Sequence, residues 1–96
     1  MSIENDQQLL ADIGGRIRAI RTEQSLNLDQ LARLTGISAP ALSLIETGKR
    51  DARLTTLAKI AAALRVPLST LLDDALPGAD ARTKDASQGY DLGEYQ

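Results

Sequence analysis

Four cations and two serines, Arg33, Ser38, Ser43, Lys49, Arg50 and Arg53, fall in one stretch of the chain. Guanidinium, ammonium and hydroxyl groups gathered this way can bind anions, phosphate above all, through charge-assisted hydrogen bonds. With no histidine and no cysteine in 96 residues, imidazole bases, thiol nucleophiles, disulfide frameworks and the common zinc sites are all removed. The chemistry left is binding: no enzyme, no cofactor and no metal is expected.

The overall charge argues against an anionic partner until its distribution is read. Net charge is −2 and the pI is near 4.9. Residues 1–13 carry three acids and no base, net −3, and residues 66–96 carry six acids against two bases, net −4. Between them, residues 14–65 hold nine Lys or Arg against four acids, net +5. A basic middle with acidic ends fits phosphate binding by the middle alone. The polar N-terminus has no apolar run of signal-peptide length, and no stretch of about 18 apolar residues occurs, so a cytoplasmic chain with no membrane partner is expected.

Helical periodicity supplies the elements that must position these groups. Leu9, Leu10, Ile13, Ile17 and Ile20 recur at helical spacing, which predicts a first helix from Leu9 to about Glu23. Gly14 and Gly15 weaken it, unless one of them permits close packing. Asn27 with Gln30 forms an N-x-x-Q capping box ahead of a second helix, Leu28 to Thr35. Gly36 ends that helix, Ser38 caps the next, and Pro40 suits its first turn, giving a third helix from Ala39 to Thr47. Gly48 breaks the chain before a fourth helix marked by Leu54, Leu57, Ile60, Ala61 and Leu64. A short fifth helix runs from Leu68 to about Ala75. No segment alternates like a strand.

Leu28 to Thr47 carries a specific pattern: Ala32 at a close crossing, Gly36 in the turn, and Leu31, Ile37, Leu42 and Ile45 at inward positions. With "LARLTGIS" followed by "LSLIETGKR", it resembles the helix-turn-helix of lambda-repressor-like (Cro-type, XRE family) regulators over about Ile13 to Leu72. The resemblance implies an all-α, compact five-helix DNA-binding domain whose third helix enters the major groove of double-stranded DNA, usually as a homodimer on two half-sites. The expected layout is a flexible N-terminus at 1–8, the domain at 9–76, and a disordered acidic tail at 77–96.

Carried onto this sequence, the base-facing positions of the family fall on Ala39, Pro40, Ser43 and Leu44, with Ser38 and Ala41 near the backbone. These residues offer serine hydroxyls and apolar contacts with thymine methyls, and no Arg–guanine or Gln–adenine pair. The resemblance makes Lys49, Arg50 and Arg53 the phosphate contacts, with Arg16 and Arg33 as additions. It also pairs Arg21 with Glu46 as a scaffold ion pair. Two departures stand out: the glutamine that often opens the second helix is Leu28, and the proline usual before the fourth is Ala52.

Once the fourth helix has covered the core, Leu68, Leu72 and Leu76 are left as dimer-interface residues. Both aromatic residues of the chain lie in the tail, in "GYDLGEYQ", and make Tyr90, Leu92 and Tyr95 candidate anchors for a protein partner. Three roles are compatible with this sequence: a dimeric transcriptional repressor, autoregulating its own operon; an antitoxin that represses its operon and also holds a toxin; and a protein-bridging factor without specific DNA reading.

Overall fold

The computed structural model describes residues 3–73, and within them the chain folds as five helices with no strand: α1 Ile3–Glu23, α2 Leu28–Thr35, α3 Ala39–Glu46, α4 Leu54–Leu64 and α5 Leu68–Leu72. No helix among the described residues is long and apolar enough to cross a membrane. Leu76, Tyr90, Leu92 and Tyr95 lie outside the described residues, so the tail anchors and one dimer residue have no structural counterpart here.

Local chemistry sets most of the boundaries. Asn27 Oδ1 accepts from the Gln30 amide at 2.7 Å while Gln30 Oε1 accepts from the Asn27 amide at 2.8 Å, so two donors otherwise orphaned at the start of α2 are satisfied. α1, α3 and α4 each close with paired amide bonds back into the last turn. At α1 these are Ser25 to Thr22 O and Leu26 to Arg21 O; at α3 they are Gly48 to Ile45 O and Lys49 to Leu44 O. At α4 they are Arg65 to Ala62 O and Val66 to Ala61 O. Each such closure needs one left-handed residue, and Ser25, Gly48 and Arg65 supply it, with φ of 62°, 75° and 62°.

Three boundaries differ from those the sequence predicts, the smallest difference being at α3, which ends at Glu46 with Thr47 as its cap. α1 starts at Ile3 and not at Leu9, so residues 3–8 of the segment read as a flexible N-terminus are helical. Polar residues there carry no apolar period to signal a helix, yet a formed nucleus extends through them at little cost. Gln8 Nε2 donates to Asp12 Oδ1 at 2.8 Å, one turn on, and supports the extension. At the other end, α5 stops at Leu72, short of Ala75, because Asp73 takes an extended conformation with ψ of 138°.

The core is aliphatic throughout. α1 contributes Ile13 and Ile17, α2 contributes Leu31, α3 contributes Leu42 and Ile45, α4 contributes Leu57, Ile60, Ala61 and Leu64, and α5 contributes Leu71. Each Leu or Ile fully withdrawn from water stabilises the fold by about 1.5 to 3 kcal/mol relative to exposure. Leu68 and Leu72 are half-buried against this core, beside the fully buried Leu71. α3 packs on α1 and α2, and this fixes its orientation.

Candidate nucleic-acid interface

α3 has one inward and one outward face. Ser38, extended at φ −64° and ψ 149°, accepts a bond from the Ala41 amide at 3.2 Å, and Pro40 sits in the first turn where its missing amide costs nothing. Leu42, Ile45 and Glu46 face in and are buried. A helical period then turns Pro40, Leu44 and Thr47 to the opposite side, where all three are exposed, with Ser43 half-buried beside them and Ala39 half-buried at the start. Leu44 is 36% exposed, so it belongs to this outer face and not to the core. Thr47 is a member of this outer face that sequence reasoning did not single out. Its Oγ1 donates to the Ser43 carbonyl at 2.9 Å, so its hydroxyl proton is committed to its own helix.

The inward face is held by charge and by close backbone approach. Arg21 Nε donates to Glu46 Oε2 at 2.7 Å and Nη2 donates to Oε1 at 3.0 Å, a two-pronged pair, while Nη1 donates to the Leu26 carbonyl at 2.7 Å. Arg21 is 8% exposed and Glu46 7%. The hydrogen bonds to Glu46 raise the Arg21 pKa above its ordinary value, against the opposing cost of burial, and the carboxylate's charge adds to the rise. This chemistry anchors α1, the α1–α2 turn and the end of α3 to one another.

Two glycines bring the helices together at the same place. A Cβ on Gly14 would collide with the carbonyl oxygens of Ile45 and Glu46, the latter at 2.6 Å, so α1 lies directly against the last turn of α3. A Cβ on Gly48 would meet the Ala11 Cα at 2.9 Å, and its φ of 75° is itself left-handed. Gly15, next to Gly14, has open space around it. A further tie that sequence reasoning missed runs from Gln24 Nε2 to the Leu64 carbonyl at 2.6 Å, joining the end of α1 to the end of α4.

The candidate phosphate-binding cations stand outside α3 in the chain. Lys49 and Arg50 follow the last turn of α3, Arg53 stands just before α4, and Arg33 lies in the last turn of α2; all four are exposed. Arg16, on α1, is half-buried. Arg50 also rims a shallow apolar recess lined by Leu9, Leu10, Ile13 and Ile45. Ser38 is exposed at the start of α3. Exposed cations of this kind can hold a polyanion by its phosphates.

The family described as Helix-turn-helix, HTH_3, matches residues 17–71, more than half of the chain. The chain belongs to the HTH_3 helix-turn-helix family. It is 39% identical over 64 residues to the HTH-type transcriptional repressor RghR of Bacillus subtilis (strain 168), covering 66% of this chain and 47% of that protein. It is 34% identical over 84 residues to the HTH-type transcriptional regulator RghRB of the same organism, covering 84% of this chain and 60% of that one. The HTH_3 chain described here thus spans about half the length of the curated relatives it matches. Among solved structures it is similar to the restriction-modification controller protein C.AhdI from Aeromonas hydrophila, with a TM-score of 0.64 and 32% identity over 65% of this chain and 94% of that one. It is also similar to the clp gene regulator ClgR from C. glutamicum, with a TM-score of 0.67 and 27% identity over 70% and 86% of the two chains.

Proposed function

We propose that this chain is the DNA-binding unit of a transcriptional regulator, working in the cytoplasm as a homodimer, with repression as its direct effect. The observation that carries the reading is the outer face of α3, free of core duty and followed directly in the chain by exposed Lys49 and Arg50, with Arg33 and Arg53 exposed on the neighbouring elements. Membership of the HTH_3 family and the repressor and regulator names of its relatives support it. In this reading α3 lies in the major groove, Lys49, Arg50 and Arg53 hold phosphates, Arg33 and Arg16 extend that contact, and Ser38 bonds the backbone at the helix start. Ala39, Pro40, Ser43 and Leu44 face the bases.

The roles separate by mutation. Duplexes selected from a random pool by the wild-type chain are the probe, and binding is followed by fluorescence anisotropy. Changing Lys49 and Arg50 together to alanine weakens all sequences alike, about tenfold or more, whereas Ser43→Ala alters the ranking among sequences. Identical behaviour of the two variants contradicts this division of labour.

A domain that reads two half-sites needs a contact the two copies share, and Leu68 and Leu72 of α5, with Leu76 beyond it, are the proposed contribution. The expected result is a dimer at micromolar concentration by sedimentation, and a folded monomer with weaker DNA binding for Leu72→Asp, the fold being checked by circular dichroism. A wild-type monomer with undiminished DNA binding contradicts the interface.

A further inference from the structure

α3 has only two polar side chains, Ser43 and Glu46, and Glu46 is turned inward and held by Arg21. What α3 and its cap residue present outward is Pro40, Leu44 and Thr47, with Ser43 at the side, and the Thr47 hydroxyl proton is already given to the Ser43 carbonyl. No guanidinium, amide or outward carboxylate stands on this face to form a bidentate pair with a base edge. In the major groove each base pair offers donors, acceptors and one apolar feature, the C5 methyl of thymine. A helix whose only outward polar groups are one or two hydroxyls distinguishes the polar patterns weakly, and the methyl is the feature from which its apolar side chains gain. Exposed Lys49 and Arg50 directly after α3, with exposed Arg33 on α2, favour an anionic partner such as the phosphates of a duplex.

We propose that the outer face of α3 selects duplex DNA by the positions of C5 methyl groups in the major groove, with Leu44 as the principal methyl contact and Pro40 beside it. The proposal rests on the reading of α3 as the groove-entering helix. It has a consequence for modified DNA: 5-methylcytosine carries the same C5 methyl, and a face with few polar readers responds little to the exchange of the thymine O4 for the cytosine amino group. A 5-methylcytosine–guanine pair therefore stands in for a contacted thymine–adenine pair, and an unmethylated cytosine–guanine pair does not. Binding by this chain is in that sense sensitive to cytosine methylation.

The test uses the full chain and a duplex it enriches from a random pool. The same duplex is prepared with deoxyuridine in place of every thymidine, which deletes the methyls and leaves every hydrogen-bonding group. Affinity is expected to fall by about fourfold for each methyl in contact, with the salt dependence unchanged because the phosphates are untouched. At a thymine whose methyl matters, 5-methylcytosine is expected to restore most of the affinity that plain cytosine loses. In Leu44→Ala, a change at an exposed position that should leave the fold intact, the thymidine-to-deoxyuridine ratio is expected to move toward one. Equal binding of the thymidine and deoxyuridine duplexes by the wild-type chain overturns methyl reading and leaves DNA binding standing. A methyl effect undiminished in Leu44→Ala and in Pro40→Ala also overturns it, because the effect then comes from DNA shape and not from α3. Failure to enrich or bind any duplex removes the DNA-binding reading itself, and the inference with it.

Discussion

Glu46→Ala is expected to destabilise the domain by about 3 to 5 kcal/mol, the cost of stranding a buried charge whose partner has been removed. The pair is two-pronged and nearly closed to water, with side-chain exposures of 10% for Arg21 and 4% for Glu46, so solvent replaces little of what is lost. A domain of this size has a total stability near the low end of about 5 to 15 kcal/mol, so much of the variant should be unfolded at physiological temperature. Arg21→Ala should cost a similar amount, with the Leu26 carbonyl also losing its donor. Urea unfolding followed by circular dichroism gives the values, and the double variant should lose clearly less than the two singles combined. Either single variant losing under about 1 kcal/mol would contradict a structural role for the pair. Such variants would also bind DNA poorly, and the unfolding data would identify the cause as a loosened α3.

The second large effect separates two neighbouring glycines. Gly14→Ala places a methyl group against two backbone carbonyls of α3, which no change of rotamer can relieve, so α1 and α3 must part. A loss of about 3 kcal/mol is expected, at the upper end of ordinary overpacking, together with weaker DNA binding because the end of α3 shifts. Gly15→Ala meets nothing within 4 Å and has ordinary helical backbone, so it should stabilise the protein by about 0.5 to 1 kcal/mol through helix propensity. Thermal unfolding of the two variants side by side should give shifts of opposite sign. Shifts of the same sign would mean that the α1–α3 contact is looser than described here.

How far the sequence could be read follows from where each signal resides. The starts of α2 and α3 are local events, written in Asn27 with Gln30 and in Ser38 with Pro40, and the structure places both helices there. The span of α4 is likewise carried by its own apolar stripe. The start of α1 is not, because the residues ahead of Leu9 are polar and have no period. The distinction between Gly14 and Gly15 depends on what crosses α1 at that level, and the crossing atoms belong to Ile45 and Glu46, remote in sequence. The same holds for Gln24, whose partner is the carbonyl of Leu64. For the candidate interface, residue types announced the apolar outer face of α3 and its cations. The place of Thr47 on this face, with its hydroxyl folded back on its own helix, was not legible, since it depends on how α3 packs against α1 and α2.

The central claim, that exposed cations such as Lys49, Arg50 and Arg53 hold DNA phosphates, is tested most directly by titrating salt against binding of an enriched duplex. If about five phosphates are neutralised per subunit, the logarithm of the association constant should fall against the logarithm of salt concentration with a slope of about −4 to −5 per subunit, and roughly twice that for a dimer. A slope near zero, or no duplex bound above background at low salt, would contradict the account.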